Sequence, residues 1–139
     1  MAYLDDIGLL ITTSAVAGGA TGWPLYLGHL PDSSAIGDKA VAVLGTAGFP
    51  SHARVSLERP GLQVLVRGEP INQTSTGYQD AEARAVLIDH AIHAYVGTPD
   101  GAGSRVAGVW NESGPAFAGF DESERPMFSA NYRVWREST

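Results

Sequence analysis

Apolar residues along this chain recur at two spacings, and the changes between them mark out the elements. Near the start, Leu4, Ile7, Leu10 or Ile11, and Ser14 or Ala15 follow helical spacing. Asp5 and Asp6 fall in the first turn, where carboxylates suit the positive end of the helix dipole, and Gly18 and Gly19 close the segment. The spacing predicts a short amphipathic helix over residues 4–17. The Gly/Ala-rich stretch that follows, through Gly22, reads as a flexible connector.

Residues 23–28 form a short strand candidate. Pro24 sits at its start, because proline is tolerated only at strand ends and edges. Residues 30–34, around Pro31 and Asp32, read as a turn. Residues 39–46 are rich in Val and Ala and predict a second strand, buried on both faces. Residues 47–60 hold two prolines, two arginines and one histidine with no sustained period, which predicts a long loop. Residues 61–68 then alternate: Leu62, Val64 and Val66 share one face, and Gln63, Leu65 and Arg67 share the other. Leu65 on that polar face implies partial cover there as well.

The strongest helical pattern runs over residues 76–96. With Ile88 as the centre, Ala81, Ala85, Ala91, Ile92 and Tyr95 fall within about 60 degrees of it, at ~100 degrees per residue. Arg84 falls inside that stripe, so its long stem is expected to snorkel out at the edge. Gly97, Thr98 and Pro99 stop the helix. The final third is β: a strand over 104–111, a second piece of it over 115–120, an acidic turn at 121–124, and a closing strand over 127–136. In the last, Phe128, Ala130, Tyr132 and Val134 face inward. Ser129, Asn131, Arg133 and Arg136 face outward, and Trp135 breaks that polar run.

The order is α-β-β-β-α-β-β. Strands outside strict βαβ alternation predict an α+β fold: a mostly antiparallel sheet with two helices packed on one face. At 139 residues the chain fits a single domain spanning 1–139. A hydrophobic fraction of 44% supports a buried core. Net charge is −6, and the nine Lys+Arg residues are scattered, which argues against a protein that wraps nucleic acid. An acidic surface that DNA slides past remains compatible. The opening segment lacks a basic n-region and is too short to span a bilayer, so neither an export signal nor membrane insertion is expected.

Candidate chemistry is sparse. Without cysteine there is no disulfide, thiolate metal site or Cys nucleophile. His90 and His93 lie three apart on the long helix but find no third or fourth ligand, so they read as residues of a solvated face. His29 and His52 belong to turns. Neither a nucleophile elbow nor a complete phosphate loop is present; Gly37 to Lys39 and Gly45 to Gly48 are fragments only. No catalytic, cofactor or metal site is expected. Asp121, Glu122 and Glu124 read first as a solvated tip, and otherwise as the lining of a DNA channel or a cation contact.

The order of pieces resembles the minor capsid or tail-terminator (tail-completion) proteins of long-tailed phages, over nearly the whole chain. Leu4-Asp5-Asp6-Ile7-Gly8 looks like the family's opening helix. Residues 25–32 look like its first strand and Pro-Asp turn. Residues 60–67 are the most distinctive piece, and residues 78–94 look like its Ala-rich helix. Phe120-Asp121, Arg125 and Phe128-Ser129-Ala130-Asn131-Tyr132 resemble its closing strand. Residues 17–22 and the loop 47–59 depart from the pattern.

The resemblance implies a non-enzymatic virion protein of the tail or neck, assembled in the host cytoplasm. It implies a hexameric ring that ends tail-tube growth and joins the head connector, with genomic DNA passing through the lumen unbound. Expected partners are further copies, the tube protein and the connector protein. A ring needs unlike patches that meet on neighbouring copies. Leu65, Arg67, Arg133, Trp135, Phe49, His52 and Arg54 are the interface candidates, and Asp121, Glu122 and Glu124 the lumen candidates. Leu65 and Trp135 have a second reading, that both underlie a helix. The alternative functions are a head–tail connector or head-completion protein, and a small ligand-binding or enzymatic α+β domain.

Overall fold

Among the described residues, alternation of apolar and polar positions produces five strands: β1 (Leu25–Leu27), β2 (Ala40–Phe49), β3 (Leu57–Arg67), β4 (Val106–Phe120) and β5 (Pro126–Glu137). A long helix, Gly77–Ile92, lies between β3 and β4. The computed structural model describes residues 7–8, 10–12, 14, 16–18, 21–31, 37–49, 57–72, 76–97 and 105–137. Of these, residues 7–8 and 10–12 are helical.

The strands form one sheet in the order β1-β2-β3-β5-β4. Only β1 and β2 run parallel; every other neighbouring pair is antiparallel. The chain leaves β3, crosses one face as the long helix, and returns as β4 two strand positions away, leaving one slot open. The β4–β5 hairpin then places β5 in the vacant slot. The fold is α+β with a mostly antiparallel sheet, in the predicted element order.

One face carries the core. Val41 and Val43, Leu62, Val64 and Val66, Val106 and Val109, and Phe128, Ala130, Tyr132 and Val134 are all buried there. Ala81, Ala85, Ile88 and Ile92 of the long helix cover them, joined by Ile7, Leu10 and Ile11. These positions follow the 3.6-residue period, so both helical pieces pack through a single stripe. Small residues let the helix approach closely. A Cβ at Gly68 would stand 2.6 Å from the Gly77 carbonyl oxygen and 3.0 Å from the Ala81 Cβ. Burying a side chain such as Ile88 stabilises the fold by about 1.5–3 kcal/mol.

Several boundaries differ from the sequence reading. The loop expected over 47–60 is shorter, because β2 runs to Phe49 and β3 begins at Leu57. The apparent lack of period there reflects a register shift between Thr46 and Phe49. Strand β2 is buried on both faces only from Ala40 to Val43; Gly45 and Thr46 are exposed. The two pieces expected between residues 104 and 120 are one strand, whose register shifts break the alternation. The long helix ends at Ile92, short of residue 96. His93 turns extended, Ala94 takes φ 62°, and the Ala94 amide donates to the Val109 carbonyl. Pairing with β4 therefore wins over the helical period at Tyr95.

The opening helical stripe holds at Ile7, Leu10 and Ile11, but Ser14 is exposed. Leu4 lies outside the described residues. The expected flexible connector is an ordered turn at its described positions. The Thr21 hydroxyl donates to the Gly18 carbonyl at 2.8 Å, and the Trp23 amide donates to that hydroxyl at 3.2 Å. Arg84 does reach from the edge of its stripe. It donates to the Val16 carbonyl at 2.8 Å and lies 5.4 Å over the Trp23 ring, with burial lowering its pKa.

Candidate functional site

The second face of the sheet has no described helix upon it. Register puts Ala42, Leu65 and Ser129 in one row, Leu44, Gln63 and Asn131 in the next, and Thr46, Gly61, Arg133 and Trp110 in a third. Leu44, Gln63, Leu65, Ser129, Asn131, Arg133 and Trp135 are half-buried. Period-2 alternation causes this split: each strand sends its apolar residues to the helices and its mixed residues outward. Leu65 and Trp135 therefore do not underlie a described helix. The Trp135 ring stands 6.2 Å from Trp110, and the Arg59 guanidinium lies 5.7 Å over it. Arg133 donates to Glu112 at 3.1 Å and contacts the Arg59 carbonyl at 3.4 Å.

Arg67 behaves differently from the other interface candidates. It is buried, and its guanidinium is turned into the subunit. It donates to the Pro31 carbonyl at 2.6 Å, the Asp38 carbonyl at 2.8 Å and the Gly37 carbonyl at 3.4 Å. Its five N–H donors suit a backbone clamp, and here they tie the β1–β2 connection to the end of β3. Phe49 ends β2, and His52 and Arg54 lie outside the described residues.

The acidic turn is likewise divided. Asp121 accepts from the Ser123 and Arg125 amides at 2.9 Å each, and from Arg125 Nε at 2.7 Å. Burial alone raises its pKa, but the hydrogen bonds and charge of Arg125, with the Ser123 amide, outweigh that and hold it below the ordinary carboxylate value. Arg125 is itself buried and also meets Asp38 at 3.6 Å. Asp121 thus shapes the hairpin, while Glu122 and Glu124 stand exposed at its tip.

A polar cluster that sequence reasoning missed joins the long helix to β4 and β5. The buried Tyr132 hydroxyl donates to Asp89 Oδ1 at 2.7 Å. Asn111 Nδ2 donates to the same oxygen at 2.5 Å, and the Asn111 amide donates to His93 Nδ1 at 3.2 Å. Burial, with the Asp89 hydrogen bond and charge, raises the Tyr132 pKa, so the phenol stays neutral. The available signal was an inward-facing tyrosine, whose hydroxyl needs a partner once buried. His90 and His93 are both exposed, as expected. Among the described residues no group of three or more His, Cys, Asp or Glu is placed to hold a metal ion.

Strand β4 is the other notable feature. It is an edge strand, and residues 94–97 line its outer side only from Val106 to Val109. From Asn111 to Phe120 most residues are exposed, and residues 113–120 carry no charge. Phe117 and Phe120 lie 5.0 Å apart on this stretch. An uncharged edge offers backbone groups to another chain, with Pro115 and the register shifts between Asn111 and Gly119 confining such pairing to short runs.

A family model described as bacteriophage tail terminator protein matches residues 3–137. Among solved structures, a chain from the virion of native gene transfer agent (GTA) particle is similar at a TM-score of 0.58 and 13% identity. The match covers 95% of this chain and 84% of that one. No curated protein matches.

Proposed function

Because this chain belongs to the bacteriophage tail terminator family, and is thus a structural protein of the phage tail, we propose that it closes into a hexameric ring on the tail tube. The ring ends tube growth and presents the surface that meets the head connector. The observation that carries this reading is the bare, uncharged stretch of β4 from Ser113 to Phe120. On a monomer this edge carries Pro115 and register shifts but no charge to ward off pairing, and an assembled subunit has it covered. Heterologous contact between identical copies produces a ring when the rotation closes.

Termination is then steric. The last ring offers tube subunits no edge they can pair with, while its inner passage admits DNA. A net charge of −6 lets the genome slide past without gripping it. No bond-making residue set is required. Among the described residues no helix is long and apolar enough to cross a membrane, in keeping with a virion location.

Imaging of particles made without this protein tests the reading. Over-long tails are the expected result. Normal-length free tails beside heads that leak DNA would instead identify a head-completion protein.

A further inference from the structure

We propose that copies of this chain join head to tail through two unlike patches at opposite ends of β4: an aromatic knob of Phe117 and Phe120, and an apolar hollow flanked by Val96 and Trp110. This inference rests on the ring reading above and deepens it by naming the contact. The knob is preformed. Phe117 and Phe120 pack edge-on, and Phe117 is braced by Tyr78 at 5.3 Å and Phe128 at 5.7 Å. Even so, Phe117 is 43% exposed and Phe120 is 50% exposed. Rigid, half-exposed aromatics give contact area at little entropic cost, and aromatics dominate binding hot spots.

The hollow forms where the segment after the long helix is drawn to the start of β4. Gly97 and Val106 exchange backbone hydrogen bonds of 2.9 and 2.7 Å, and the Ala94 amide reaches Val109 at 2.8 Å. Between them lies an apolar hollow of about 390 Å³, lined chiefly by Ala94, Val96, Ala107, Val109 and Trp110. Val96 and Trp110 are 55% and 60% exposed at its rim. The space admits a phenylalanine ring.

Charge selects a second copy as the occupant. The knob adjoins the hairpin tip, where Glu122 and Glu124 are exposed and Asp121 is already held by Arg125. The hollow adjoins the opposite end of the sheet, where Arg59, Arg105, Arg133 and Arg136 outnumber Glu58, Glu112 and Glu137, with Arg133 already bonded to Glu112. Arg105 pairs with Glu137 at 3.2 Å, yet both side chains are half exposed and open to a further partner. Knob against hollow brings acids toward arginines. Knob against knob would face Glu122 and Glu124 with their own duplicates. Unlike patches of this kind propagate instead of stopping at two copies. Glu122 and Glu124, which the sequence reading aims at a lumen, fall at the boundary between copies.

The chain contains no cysteine, so introduced thiols are unique reporters. A Val96→Cys, Phe120→Cys double variant is oxidised gently at high protein concentration and on tail tubes, then separated without reductant. The expected result is a covalent ladder that ends at the ring's copy number, with both single variants remaining monomeric. As a second measurement, Glu122→Arg with Glu124→Arg should weaken self-association at least tenfold at unchanged melting temperature. Mixing with an Arg105→Glu, Arg136→Glu variant should restore it. Dimers from Phe120→Cys alone, or cross-links to tube protein in place of a ladder, overturn the proposal. A ring that assembles but never cross-links overturns this contact and leaves the ring reading standing. Failure of the natural chain to assemble at all, in solution or on tubes, removes both.

Discussion

The two faces of the sheet are built from the same strands, yet they meet different fates. On one face Val41, Val43, Leu62, Val64, Val66, Phe128 and Val134 are sealed beneath helices. On the other, Leu44, Gln63, Leu65, Asn131, Arg133 and Trp135 remain half-buried with no described helix above them. A hydrophobic seal specifies a fold, whereas a mixed surface with aromatic outposts suits contact between subunits. The lesson is that changes on the first face should cost stability, and changes on the second should cost assembly.

The sharpest break in that contrast comes at Ile88. Ile88→Ala removes the centre of the helical stripe and should destabilise the subunit by about 2–5 kcal/mol, read from chemical denaturation. Arg67 is the next largest case, because it begins on the mixed face but acts inside. Arg67→Met leaves three backbone carbonyls without their donor and should cost about 3 kcal/mol. Tyr132→Phe removes the hydroxyl that Asp89 accepts and should cost about 1.5–3 kcal/mol. Leu65→Gln tests the opposite side. It should shift the unfolding free energy by about 1 kcal/mol or less while weakening self-association measured by sedimentation.

Acid provides the gentlest probe. The folded-state pKa of Asp121 is depressed, so its contribution is complete above the unfolded carboxylate value of about 3.9 and is lost as pH falls through the folded value. Stability measured from pH 5 to 2 should therefore fall less steeply in Asp121→Asn than in the natural chain. An identical slope would show that Arg125 and Ser123 do not favour the ionised form.

Much of this division was legible beforehand. Period-2 alternation in residues 62–66 and 128–134 separated the faces correctly, because each strand follows one pleat through a continuous ladder. The helical stripe through Ala81, Ala85, Ile88 and Ile92 was equally clear. Legibility failed where long-range pairing overrides local pattern. The register shift in β2 and the shifts in β4 break alternation, so the first read as loop and the second as two pieces. The helix end was misplaced because the partner of Ala94, Val109, lies far along the chain. The role of Arg67 was hidden because its carbonyl partners belong to a loop without pattern. The hollow at Val96 and Trp110 exists only after the helix end and β4 have met, so no single stretch announces it.

The most direct measurement of the central claim is imaging of isolated tail tubes carrying this protein, with the copies counted at the tube end. The account predicts a closed ring of identical copies arranged about the tube axis at the head-proximal end. Copies bound singly, or scattered along the tube wall with no shared axis, would contradict it.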